Sequence, residues 1–231
     1  MSTKPWKKGN GRRKPERHIQ RHLIVCEDKK SFADYFRSFT MPPEFAEVVV
    51  EGGAGNTASV VEAALKLRRD KEKVGTPYAK IWCVFDRDPV AGTKVRQDDG
   101  IAKNFHKAFE LAAPHRDVEI IWANECLELW YLLHFAYQNT PIARKKIYER
   151  LSRPAPDGLG KEYDKADTSV FDALVGKRET AKKNAKRLLD SYDGAVKPAE
   201  NNPSTNIHYL VVVLEQLQGL QEVNDNATDS K

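Results

Sequence analysis

Five acidic residues stand where carboxylates can do chemistry together. They are Glu27, the pair Asp86 and Asp88 on either side of Arg87, and Glu128 with Glu125 three residues ahead of it. Glu27 follows an apolar run at 22–26, and Asp86 follows the run KIWCVF at 80–85. If both runs are parallel strands, their acids land on the carboxyl edge of one sheet, where open α/β sheets bind ligands. Three carboxylates drawn together repel unless they are protonated or bridged, and a hard divalent cation such as Mg2+ is the usual resolution. The spacing therefore suggests a metal site of Glu27, Asp86 and Asp88, with Mn2+ as a substitute ion. Taken singly, an acid after a strand also reads as a cap for the next helix. Two such strand ends in one chain favour the metal reading.

Glu125 and Glu128 open the helix expected after the fourth strand, where they add a third ligand or a general base from the same edge. They equally suit the positive end of a helix dipole. Glu128 lies between Leu127 and Leu129. If it faces the edge it needs a partner, because a lone buried carboxylate is costly. Lys29, Lys30 and Arg87 are placed to neutralise a substrate phosphate, although each also reads as a solvated surface cation. The stretch EGGAGNT at 51–57 has glycines able to present backbone amides to a phosphate. It lacks the GK[ST] of a Walker loop, and a plain strand-to-helix turn explains it as well. Cys26, Cys83 and Cys126 sit in or beside core runs with no CxxC pair, which makes them buried thiols rather than a disulfide or zinc framework. His134 reads as a packed histidine.

The elements that must position these groups alternate between β-type runs and helical stripes, the signature of a parallel α/β sheet. Strands are expected at 22–26, 48–50, 80–85 and 118–123, the third wholly buried and therefore central. Helices are expected at 31–39, at 57–73 with Thr57 as cap, at 101–113 and at 125–137. After Thr140 only helical stripes remain, at 142–151, 168–174, 179–191 and 204–217. The long polar loops at 152–167 and 192–203 are of a length that is often functional or mobile. This divides the chain into a basic arm at 1–20, an α/β domain at 21–140, a helical C-terminal extension at 141–222 and a frayed tail at 223–231.

The whole chain has 231 residues, 40% hydrophobic and 31% charged, with a net charge of +5. No stretch approaches the ~18 apolar residues of a membrane span. Residues 1–22 hold eight Lys and Arg against Glu16 alone, a net +7 that leaves the other 209 residues at −2. The body is slightly acidic and only the arm is basic. The arm's one large apolar group is Trp6, too little to offset ordering entropy, so disorder is expected there. It has no apolar core of a secretory signal, and with few serines it is a poor transit peptide. Unpaired cysteines fit a reducing cytoplasm.

Glu27 after one strand and a later DxD resemble the Toprim domain of topoisomerases, primases and overcoming-lysogenization-defect nucleases. More specifically, IVCEDKKS at 24–31, GGAGN at 52–56, IWCVFDRD at 81–88, NECLELWYLLHF at 124–135 and NPSTNIHYLV at 202–211 resemble the RloB-like family. The likeness runs from about residue 21 to 217. It implies a Toprim-like parallel sheet flanked by helices and a Mg2+-dependent nuclease of bacterial antiviral defence, commonly paired with an ABC-type ATPase. Carried over by position, Glu27 is the acid of the first motif, Asp86 and Asp88 are the DxD, and Glu128 is the acid of the ELW block. Such nucleases usually read CEGEKTE in the first block. Here Asp28, Lys29 and Phe32 replace the glycine and two acids. Phe32 cannot bind a metal, so a second-metal ligand is absent or comes from Asp28 or Glu128.

The expected reaction is hydrolysis of a DNA or RNA phosphodiester. Asp86 and Asp88 hold Mg2+, Glu27 acts as base or completes the coordination, and Glu128 positions water. Asn202 and His208 reach the site from the last block or serve structure alone. Homo-oligomerisation is compatible with all of this. A second reading is a non-catalytic or latent nucleic-acid-binding subunit of the ATPase complex. A remote third is a haloacid-dehalogenase-like phosphatase, disfavoured because that fold puts its nucleophile after the first strand.

Overall fold

A computed structural model describes residues 19–41, 43, 46–87 and 100–228. Residues 1–18 of the expected arm and Asp88 lie outside the described residues, and Gln20, the arm's expected last residue, already belongs to the first strand. The chain runs β1 (Gln20–Cys26), α1 (Ser31–Arg37), β2 (Ala46–Gly52), α2 (Thr57–Lys73), β3 (Lys80–Asp86), α3 (Gly100–Ala112), β4 (Val118–Asn124) and α4 (Glu128–Leu133). There follow α5 (Arg144–Leu151), α6 (Val170–Val175), α7 (Arg178–Asp190), β5 (Ser204–Thr205) and α8 (Ile207–Thr228). One sheet has the order β2-β1-β3-β4-β5, with β3 central as its unbroken apolar run requires. The first four strands pair in parallel and β5 pairs antiparallel to the end of β4, Ala123 with Thr205 and Asn124 with Ser204. The fold is thus a mixed α/β sheet flanked by helices.

Alternate residues of each strand feed opposite faces. Ile24, Cys26, Trp82, Val84 and Ile121 join a cluster with α1 and α4 to α8, while Leu23, Val25, Ile81, Cys83, Phe85 and Ile120 join one with α2 and α3. The first cluster is continuous from the sheet through Ile147, Phe171, Ala185 and Leu214. At ~25 cal/mol per Å2 of apolar surface, it binds the C-terminal helices to the sheet.

Several elements differ from the sequence reading. The helix expected at 125–137 is only α4, because Cys126 and Leu127 form the turn that brings the chain off β4. The cap of α2 is Asn56, whose side chain accepts the Ser59 N–H at 3.2 Å, and Thr57 is already helical and buried. The segment after residue 140 is not wholly helical. Two residues of β5 escape a period-based reading because alternation needs a longer run. The tail is helical to Thr228, since a formed helix propagates cheaply and no proline stops it.

Candidate functional site

The register that aligns β1 with β3 pairs Cys26 with Val84, and each strand carries its ladder one residue further. The Glu27 N–H donates to the Val84 carbonyl at 3.0 Å, and the Arg87 N–H donates to Ala123 at 2.8 Å. Glu27 and Asp86 therefore emerge side by side on the carboxyl edge. The Asp86 N–H reaches Glu27 Oε2 at 3.4 Å. Burial pushes both acids up. Glu27 rises to about 7, with the Asp28 charge adding to the rise while the Asp86 N–H and Arg144 oppose it. Asp86 also rises to about 7, where Arg144 opposes the shift and the Glu27 and Glu128 charges add to it.

Glu128 opens α4 at 1% exposure and shows how a buried carboxylate is compensated. Its Oε1 accepts from Tyr148 Oη at 3.1 Å and Tyr163 Oη at 3.3 Å, and lies 3.0 Å from Lys165 Nζ. Its Oε2 is buried and has no hydrogen-bond partner among the described residues. Burial lowers the Lys165 ammonium, yet the adjoining Glu128 carboxylate outweighs this and holds it above its ordinary value. On Asp86, Oδ2 meets Arg144 Nη2 at 3.2 Å. A cavity of about 170 Å3 gathers these groups, lined by Glu27, Asp28, Asp86, Glu128, Arg144 and Lys165 with Phe32 and Leu127.

The structure thus brings together Glu27, Asp86 and Glu128 of the expected site, with Asp28 beside them. Other candidates fall elsewhere. Arg87 is 2% exposed, inside the protein and outside the cavity lining. Lys29 and Lys30 are exposed and do not line the cavity, and the stem of Lys29 covers Gly53, where an added Cβ would meet its Cγ at 2.3 Å. Glu125 is buried three residues before α4 and outside the lining. Asn202 serves structure: its Oδ1 accepts the Ile142 N–H at 3.2 Å, and its Nδ2 donates to the Ile142 carbonyl at 3.4 Å. His208 is buried against Tyr209, is pulled down to about 4 by burial and Lys186, and does not line the cavity. The glycine turn does not cradle a phosphate with its first amides. The Gly53 N–H is spent on the Cys26 and Asp28 carbonyls, and Ala54 N–H on Cys26. All three cysteines are buried thiols, and His134 is packed with Nδ1 2.9 Å from the Trp130 carbonyl. Phe32 stacks on Tyr131 at 4.9 Å, a core role.

Arg144, Tyr148, Tyr163 and Lys165 escape a motif-based reading. Arg144 sits in the run ARKK at 143–146, where nothing distinguishes it from its neighbours. Tyr163 and Lys165 ride the loop at 152–169, and the available signal was its length. That loop is tied down by Tyr163 N–H on Ser152 Oγ at 3.0 Å, Leu159 N–H on Leu151 at 2.8 Å and Gly160 N–H on Arg153 at 2.8 Å.

A mostly parallel α/β sheet whose edge gathers two half-buried carboxylates and a buried one, with cations paired to Asp86 and Glu128, is the class this geometry defines. A family model described as RloB-like protein matches residues 22–214, and the chain belongs to the RloB-like family. No curated protein and no solved structure matches it. Among the described residues no helix is long and apolar enough to cross a membrane.

Proposed function

We propose that this chain is a Toprim-like, Mg2+-dependent phosphodiesterase acting on DNA or RNA, the effector of a bacterial antiviral system working with an ABC-type ATPase. The observation that carries the reading is the Glu27 and Asp86 pair, raised to about 7 at the edge of two adjoining parallel strands. Such a pair invites a cation. The donor set fits Mg2+ or Mn2+, because it is all carboxylate and the buried Glu128 Oε2 lacks a hydrogen-bond partner among the described residues. Among the described residues no group of three His, Cys, Asp or Glu converges closely enough to hold a metal. A further ligand then falls to Asp88 or to the waters that Mg2+ keeps.

Bound there, the ion supplies Lewis acidity toward a phosphate oxygen. The chain's own residues supply the rest. Glu27 either completes the coordination with Asp86 or, left free and poised near neutral pH, takes the proton of an attacking water. Arg144 offers a planar fork to non-bridging phosphate oxygens. Lys165, held charged by Glu128, serves as a fixed positive charge and not as a proton donor. Substituting Asp86→Ala tests this in a cleavage assay with Mg2+ or Mn2+ and the ATPase partner present. A loss of at least ~100-fold is expected, and undiminished cleavage overturns the mechanism.

A second reading, a latent subunit, is favoured by the ion pairs themselves. Arg144 on Asp86 and Lys165 on Glu128 compensate both acids without a metal. Calorimetric titration separates the two, since no heat of binding at millimolar Mg2+ supports latency.

A further inference from the structure

A second cavity of about 420 Å3 adjoins the first and shares Lys165 with it. Tyr148, Glu162, Tyr163 and Asp164 complete its lining. Its size falls within the roughly 300–1,000 Å3 of small-ligand clefts. Both tyrosine hydroxyls donate to Glu128 Oε1, so the two rings extend directly from the candidate catalytic edge. Their centroids are 5.1 Å apart with an interplanar angle of 59°. Tyr163 is 9% exposed and Tyr148 is half-buried.

The lining states what it would hold. Two carboxylates repel a phosphate; Arg144 lines the first cavity only, and Lys165, which the two cavities share, is paired with Glu128. Aromatic surface beside carboxylate acceptors suits a flat, neutral group with N–H donors. Asp164 spends Oδ1 on the Ala166 N–H at 2.9 Å and keeps Oδ2, while Glu162 makes no hydrogen bond or ion pair among the described residues. Glu162 therefore has both oxygens available.

We infer that this cavity is a base-binding subsite for an unpaired nucleotide beside the phosphate in the first cavity, preferring guanine. The placement of that phosphate rests on the phosphodiesterase reading. A base inside a duplex cannot turn its face to a tyrosine, so the substrate presents single-stranded nucleic acid, as proteins that stack bases on aromatic rings require. Guanine offers adjacent N1–H and N2–H donors to one carboxylate. Cytosine and adenine offer an amine alone. Uracil sets carbonyls on both sides of its N–H against the acids and is rejected.

The test measures binding of GMP, AMP, CMP and UMP to the full chain in EDTA, where no metal-dependent cleavage occurs. GMP is expected to bind at least ~10-fold more tightly than UMP, and Glu162→Gln to remove that preference while leaving UMP unchanged. Tyr148→Leu should weaken all four ~10-fold through lost stacking, whereas Tyr148→Phe should not. Equal affinities, a preference untouched by Glu162→Gln, or no binding at millimolar nucleotide overturns the subsite. Asp86→Asn separates the two proposals: a protein that ranks nucleotides yet cleaves nothing in any form retains the subsite and loses the phosphodiesterase. A protein that cleaves without ranking them does the reverse.

Discussion

Replacing Glu27 with glutamine removes one charge from the acidic edge and leaves its shape, since the amide carbonyl still accepts the Asp86 N–H. Wild-type Glu27 has its folded carboxyl raised from 4.5 to about 7. At ~1.4 kcal/mol per pH unit this sets an upper bound of ~3 kcal/mol for the cost of ionising it in the fold. The side chain keeps partial contact with water, so ~1–2 kcal/mol is expected. Below pH 4.5 the group is protonated in both states and its contribution is fully present. Between 4.5 and about 7 the native state holds a proton that the unfolded chain has released, so stability falls as pH rises. Above about 7 the loss is complete. The glutamine variant is neutral throughout and escapes it.

The difference in Tm between Glu27→Gln and wild type, measured in EDTA, should therefore be near zero at pH 4.5 and grow to ~2–8 °C in favour of the variant at pH 8. Magnesium at ten times its Kd should then stabilise wild type by ~1.4 kcal/mol and the variant by less. A difference in Tm that is flat with pH, or a variant less stable at pH 8, refutes the view that burial and neighbouring acids strain this edge.

The ion pair on Glu128 gives a second prediction. Lys165→Met should cost ~1–3 kcal/mol in urea unfolding by leaving the Glu128 charge with hydroxyl donors alone, and adding Glu128→Gln should recover most of it. Asn202→Ala removes both hydrogen bonds to Ile142 and should cost ~1–2 kcal/mol while lowering cleavage through displacement of Arg144, a loss read by the same unfolding and cleavage assays. Gly158→Ala sets a Cβ 2.6 Å from the Arg153 carbonyl and 2.8 Å from that of Leu151. It should loosen the loop bearing Tyr163 and Lys165, seen as faster proteolysis within 152–169.

The sheet and its acids were legible because their signals are local. KIWCVF is uniformly apolar, and only a central parallel strand buries both faces; the acid that follows is then fixed at the edge. Helix α2 was legible to within a residue because its stripe runs over four turns. Helix α4 was overextended because Leu127, Trp130 and His134 keep a helical period while tertiary packing stops the helix at Leu133. The cations of the site were illegible for a different reason. Lys29, Lys30 and Arg87 neighbour the acids in sequence, yet residues adjacent along an extended chain point apart. Arg87 turns inward as Asp86 turns to the edge.

Charge near the site therefore comes from across the fold. The acids stand at the ends of β1 and β3 and the start of α4, and the lining cations among the described residues, Arg144 and Lys165, both come from beyond residue 141. Each is held by a device of the C-terminal part: Asn202 fixes the chain entering α5 two residues before Arg144, and Ser152 fixes Tyr163 two residues before Lys165. The sheet alone would present like charges with no counterion, the arrangement burial penalises most. The helices after residue 141 are in that sense half of the site, and a truncation at 141 should lose more stability at pH 8 than at pH 5, because burial raises Asp86 to about 7 and only the higher pH ionises the acid that Arg144 neutralises.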